Sequence, residues 1–191
     1  MTYLPISGLP MIEENEATEE VVQLYEEGKR VLESPFVPNI AKAVAISPSV
    51  LKMLIRVYHV FFQNVTIPHS LLAMISYCIP MAKNCHYCAA NGELTCRTIG
   101  IDEETLAMLA KDLGNVSPTR VRAVIQFALH CALDPQSLTT EDYDKVRAEG
   151  VSDEELVEII FVAAVANFSD TMADALKIEV DKEVIEALAQ G

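Results

Sequence analysis

Apolar residues recur every three or four positions along most of this chain, and the recurrences are bounded by capping residues. In "SPTRVRAVIQFALHCAL" (117–133), Val121, Val124, Ile125, Ala128 and Leu129 fall at helical spacing. Ser117 is placed as N-cap, and Pro118 takes the first helical position. "SDEELVEIIFVAAVANF" (152–168) opens on a capping box, with Ser152 followed three residues later by Glu155. Gly150 just before it ends the helix predicted over "TEDYDKVRAE" (140–149). Further helices are predicted over 17–33, 47–62 and 70–79. "IGIDEETLAMLA" (99–110) and "EGVSDEELVEII" (149–160) echo one another, each setting a glycine before an acidic helix start. An internal duplication and a recurrent turn-and-cap solution both account for that echo. No alternating run of β-branched residues lies between turn residues. The pattern predicts one all-α domain over 1–191, without the βαβ units a thioredoxin fold requires. Gly-rich phosphate loops and GxSxG elbows are also missing.

Composition sharpens this reading. Hydrophobic residues make up 51% of the chain and charged ones 22%, yet no apolar run reaches the ~18 residues of a membrane span. The nearest, "IIFVAAVANF" (159–168), has Glu158 and Asp170 close to its ends. It reads as a buried helix, placed where a subunit interface can hide apolar area, and a homo-oligomer is expected. A formal net charge of −14 opposes binding to nucleic acid or to anionic membranes. The carboxylates gather in "EENEATEE" (13–20) and at helix starts, where the dipole favours them. The N-terminus "MTYLPISGLPMIEENEA" has neither a basic region nor a long apolar one, so no signal peptide is expected. With five cysteines, that points to a reducing compartment, the cytoplasm by default. A CxxC pair there is more often catalytic or metal-binding than a structural disulfide.

One such pair lies in "KNCHYCAANGE" (83–93). Pro80 should end or kink the helix before it, and Asn84 suits the N-cap of a new helix. Cys85 then takes the first helical position, with Cys88 three residues on along the same face. The helix dipole, Lys83 and His86 all favour a thiolate there. A low-pKa thiol beside a resolving thiol is what disulfide exchange and peroxide reduction need.

"SLLAMISYCIPMAKNCHYCAANGE" (70–93) resembles the cysteine helix of AhpD-like (alkylhydroperoxidase D-like) members of the carboxymuconolactone decarboxylase superfamily, in which the pair sits in a "…NGCxYCxAxH" setting. Residues 36–62 and 120–181, the latter with its "NF…ADAL" ending, resemble the peroxidase-related branch of that superfamily. The resemblance implies an all-helical, oligomeric protein without a cofactor. Cys85 and Cys88 would reduce hydroperoxides or disulfides and be re-reduced by a thiol or lipoyl-type partner. It also implies that Cys88 attacks and Cys85 resolves, whereas the dipole argument favours Cys85 as the thiolate. Active members place a glutamate twelve residues before the first cysteine and a histidine four after the second, as a proton relay. Those positions here are Ala73 and Gly92, and neither moves a proton.

His69, one helical turn before Ala73, and Glu93, beside Gly92, are candidate substitutes, and His86 lies between the cysteines. Tyr77 is a further lining candidate. The close spacing of Cys78, Cys85, Cys88 and Cys96 also allows a metal site. A lactone decarboxylase would not need the cysteine pair. A non-catalytic oligomeric scaffold or small-ligand binder would explain Ala73 and Gly92. His59, His130 and Cys131 sit in apolar helical stretches and read as core residues, as do Met53, Met74, Met81 and Met108.

Overall fold

The computed structural model describes residues 7–190, so the first six residues of the N-terminal segment considered above lie outside the described part. Among the described residues there are helices and no strands. In chain order they are α1 (Glu19–Leu32), α2 (Asn39–Val44), α3 (Pro48–His59), α4 (His69–Lys83), α5 (His86–Thr98), α6 (Glu103–Lys111), α7 (Thr119–Leu133), α8 (Thr140–Ala148), α9 (Asp153–Leu176) and α10 (Lys182–Gln190). A π-helical turn, Val60–Asn64, prolongs α3.

The termini follow local chemistry. Thr18, Asp102 and Ser152 cap α1, α6 and α9 through their side chains, and each of these helices carries acidic residues in its first turn. The capping box of Ser152 and Glu155 forms, and Arg120 Nη2 pairs with Glu155 at 2.5 Å. Gly100 and Gly150 both adopt positive φ, +86° and +78°, which gives the two echoing segments the same glycine stop before a capped start. At α7 the cap moves one residue: Pro118 itself is the N-cap, and Thr119 is the first helical residue.

Two apolar clusters hold the helices together. The larger joins α4, α6, α7 and α9 through residues such as Ile75, Ile79, Ile125 and Ile159. The second joins α1, α2 and α3 to the start of α5 and the end of α9. Helix α9 therefore serves both cores. It is eight residues longer than its apolar pattern indicated, because the stripe Ile159, Ala163, Ala166, Asp170, Ala173 stays on the buried face to the end. By length and composition α9 could cross a membrane, at a mean hydropathy of 1.6, but that stripe packs inside the protein. Glu158 fastens α9 to the turn before α4, accepting from Thr66 N (2.8 Å), Thr66 Oγ1 (3.0 Å) and Ile67 N (3.0 Å).

Several residues assigned to the core lie elsewhere. His59 is exposed at the end of α3, and His130 is half-buried with its Nε2 2.6 Å from Ser137 Oγ. Met53 and Met81 face outward, whereas Met74 and Cys131 are buried. The apolar stretches around these residues are amphipathic, and residues one or two positions off the buried stripe turn to solvent.

Candidate active site

The cysteine pair stands at the tip of an antiparallel hairpin made by α4 and α5. Pro80 does not end α4, which runs three residues further to Lys83. Asn84 then takes a left-handed conformation (φ 59°, ψ 31°) as the C-cap of α4, a role for which asparagine's tolerance of positive φ suits it. The N-cap of α5 is Cys85, not Asn84: its backbone is extended, its N–H donates to the Pro80 carbonyl (2.9 Å), and its carbonyl receives the Ala89 N–H. The whole connection is thus two residues long. That tightness buries Cys85 completely, at 0% exposure, while Cys88 remains partly open to solvent.

The Sγ atoms of Cys85 and Cys88 lie together with a carboxylate oxygen of Asp170, all within 4.8 Å of one another. Asp170 is 1% exposed, and neither of its oxygens has a hydrogen-bond partner. Lys83 reaches over from the end of α4, its Nζ 3.6 Å from Asp170 Oδ2 and donating to Asn167 Oδ1 at 2.6 Å. Asn167 in turn donates to the Ala132 carbonyl (2.7 Å). Behind the pair, the Tyr58 hydroxyl lies 3.1 Å from Ser169 Oγ. Between the cysteines, Tyr87 points the other way, and its hydroxyl accepts from Ile40 N at 3.3 Å.

Charge in this pocket is costly. The Cys85 sulfur beside it, burial and the charge of Asp170 all push the Cys88 thiol far above its ordinary value. Burial also raises the Asp170 carboxyl, an effect opposed by Cys88 and by Lys83. Tyr58 is held protonated by burial and by the nearby sulfur and carboxylate groups.

The other candidates do not gather here. His69 is exposed in the first turn of α4, about 20 Å along the helix axis from Lys83. Glu93 is engaged by Arg97 at 2.8 Å, and Arg97 also pairs with Glu103. His86 is exposed. Tyr77 packs in the larger core. Ala73 is buried, and a Cβ at Gly92 would stand 2.6 Å from the Ser76 carbonyl oxygen and 2.8 Å from Tyr77 Cα. The α4–α5 contact therefore leaves no room for a side chain at the position where the resemblance puts a histidine.

The four-cysteine metal arrangement is not formed. Cys78, whose Sγ lies 3.9 Å from the Leu109 carbonyl oxygen, and Cys96 belong to the larger core, whereas the Cys85–Cys88 pair belongs to the second. At the pair itself the Lys83 ammonium already supplies the positive charge beside Asp170.

Asp170 was not among the candidates drawn from sequence. The pattern nevertheless contained it: Asp170 continues the core stripe four residues after Ala166, and an acid at an apolar position marks a buried carboxylate.

No family model matches the chain, nor does any curated protein sequence. Solved structures do match in fold. An uncharacterized peroxidase-related protein from Silicibacter sp. TM1040 superposes with a TM-score of 0.82 at 21% identity, covering 96% of this chain and 97% of its own. The AhpD core structure of a peroxidase-related protein from Ralstonia eutropha JMP134 gives 0.81 at 20% identity, over 92% of each chain. A variant of the debrominase Bmp8, in complex with 2,3,4-tribromopyrrole, gives 0.81 at 15% identity, covering 100% of this chain and 99% of its own. This chain has the AhpD-like fold.

Proposed function

We propose, starting from that fold, that the protein is a thiol-dependent oxidoreductase whose Cys85–Cys88 pair reduces a hydroperoxide or a disulfide. The observation that carries the reading is the meeting of two free thiols with a buried carboxylate at the start of α5, where one sulfur is partly open and the other is sealed. For a hydroperoxide, a thiolate attacks the O–O bond, an alcohol leaves, and a sulfenic acid forms. The second thiol displaces water and closes the disulfide. A thiol or lipoyl-type dithiol then returns two electrons and two protons. The exposure of Cys88 favours it as the attacking sulfur, with Cys85 resolving. Retention of five free cysteines suits a reducing compartment, with the cytoplasm as the proposed location.

The likeness in fold to the debrominase along the whole chain favours a second substrate class for the same pair. Two thiols would replace an aryl bromide by hydrogen, releasing bromide and a proton and leaving the disulfide.

The test counts free thiols on the reduced, metal-stripped protein before and after one equivalent of an organic hydroperoxide, with peptide mapping. Loss of two thiols as a Cys85–Cys88 disulfide is expected, and Cys85→Ser or Cys88→Ser should each abolish multiple turnover. If all five thiols survive while a free thiol at equal concentration reacts as fast, the oxidoreductase reading fails and a non-catalytic scaffold takes its place.

A further inference from the structure

A carboxylate buried without a hydrogen bond is expensive, and proteins rarely keep one that does nothing. Asp170 is such a group: 1% exposed, neither oxygen hydrogen-bonded, and one of them within 4.8 Å of both cysteine sulfurs. We propose that Asp170 is the proton-transferring residue of this site, taking the proton of the Cys88 thiol and returning it to the oxygen that leaves the substrate. The proposal rests on the oxidoreductase reading of the cysteine pair and supplies what Ala73 and Gly92 lack.

The surroundings suit that role. Passing a proton from Cys88 to Asp170 moves one negative charge from oxygen to sulfur without adding charge to a buried pocket. Lys83, 3.6 Å from the carboxylate, stabilises the anion on either atom. The other titratable groups facing Asp170 are the Cys85 thiol from α5 and the Tyr58 hydroxyl from α3. From α2 the one charged residue is Lys42, and it is held by Glu13 at 2.8 Å. Burial raises the carboxyl above the ordinary carboxylate range, which makes it a stronger proton acceptor than an exposed aspartate.

The step balances. Cys88–SH and Asp170–COO⁻ become thiolate and carboxylic acid. The thiolate sulfur bonds to the terminal peroxide oxygen, the O–O bond breaks, and the departing alkoxide takes the Asp170 proton as alcohol. Cys88–SOH remains. The Cys85 sulfur then displaces its hydroxyl, which leaves as water with the Cys85 proton.

The experiment follows formation of the Cys85–Cys88 disulfide with tert-butyl hydroperoxide by stopped flow, on the chelator-treated full chain, from about pH 5 to 9. Iodoacetamide labelling of Cys88 is run in parallel. Wild type should rise through an acid limb set by the carboxyl and then hold a pH-independent plateau. Asp170→Asn should lose both features, its rates climbing tenfold per pH unit and lying roughly 10²-fold below wild type in the peroxide reaction at about pH 6. Lys83→Met, which leaves the carboxyl in place, should move the acid limb to higher pH; it decides the matter if Asp170→Asn does not fold. Profiles of the same shape in wild type and Asp170→Asn, or an acid limb unmoved by Lys83→Met, would overturn the proposal. If wild type forms no disulfide at any pH, the oxidoreductase reading fails, and the labelling profiles still judge Asp170 alone.

Discussion

Gly92 offers a quantitative test of how tightly the site is built. Adding one methyl there places carbon 2.6 Å from the Ser76 oxygen and 2.8 Å from Tyr77 Cα, against 3.4–4 Å for ordinary contact. The shortfall of about 0.8 Å is with the backbone of α4, which cannot rotate aside as a side chain would. Replacing glycine by alanine within a helix is worth about 1 kcal/mol in propensity. Overpacking costs about 1–3 kcal/mol, and backbone overlap belongs at the upper end. Gly92→Ala should therefore destabilise the protein by about 1–2 kcal/mol, despite alanine's better propensity. Gly28 is the control: it is also helical and buried, but its added Cβ would meet Ile55 at 3.6 and 3.7 Å, so Gly28→Ala should stabilise by about 0.5–1 kcal/mol. Urea unfolding of the three proteins measures both, and a thermal scan should show shifts of opposite sign, roughly 2–4 °C per kcal/mol at this size. Gly92→Ala at or above wild-type stability, or Gly28→Ala as damaging as Gly92→Ala, would refute the packing argument. Gly92→His, which sets a histidine where the resemblance places one, should destabilise more than Gly92→Ala and should not raise activity above wild type.

Two further outcomes are expected. The outer face of α9 presents Val157 at 67% exposure, with Ile160 and Phe168 one and three turns along, and a second copy of the chain is the proposed cover. Light scattering should find an oligomer that Val157→Lys with Ile160→Lys dissociates, and a wild-type monomer at assay concentration would refute this. Glu155 is held below its ordinary 4.5, first by the Ser152 N–H and also by Arg120. A folded value below the unfolded one gives stability that is present above the unfolded pKa and lost as pH falls through the folded one. Glu155→Gln should accordingly cost up to about 1 kcal/mol at pH 7, discounted for its partial exposure, and nothing in strong acid. A cost independent of pH would mean that the charge is idle.

The helices were legible because their periodicity and caps agree, as at Ser152–Glu155 and Gly150. Hairpin detail was less so. Reading Pro80 as a break predicted a new helix capped by Asn84, but α4 tolerates the proline, and Asn84 serves instead as a left-handed C-cap. That shift moves Cys85 from the first helical position to the N-cap and into the core. His69 looked close because it shares a helix face with Ala73. The hairpin, however, sets the cysteines at the other end of α4, and a face says nothing about height along an axis. Asp170 was not a candidate because it read only as a charge near the end of the apolar run 159–168, although the core stripe passes through it.

The five cysteines divide into the pair at the start of α5 and three others. Cys78, Cys96 and Cys131 are sealed in the larger core, and burial raises each thiol, the first two to about 12 and the third to about 11. The fold thus acts as a protecting group. A label applied to the native chain meets Cys88 first, because it is the cysteine that is partly open while the other four are buried. Unfolding removes that protection at once, releasing three thiols beside any disulfide already formed at the site. Heating under oxidising conditions should therefore end in scrambled, irreversible material, whereas the same excursion in the presence of a reductant should reverse.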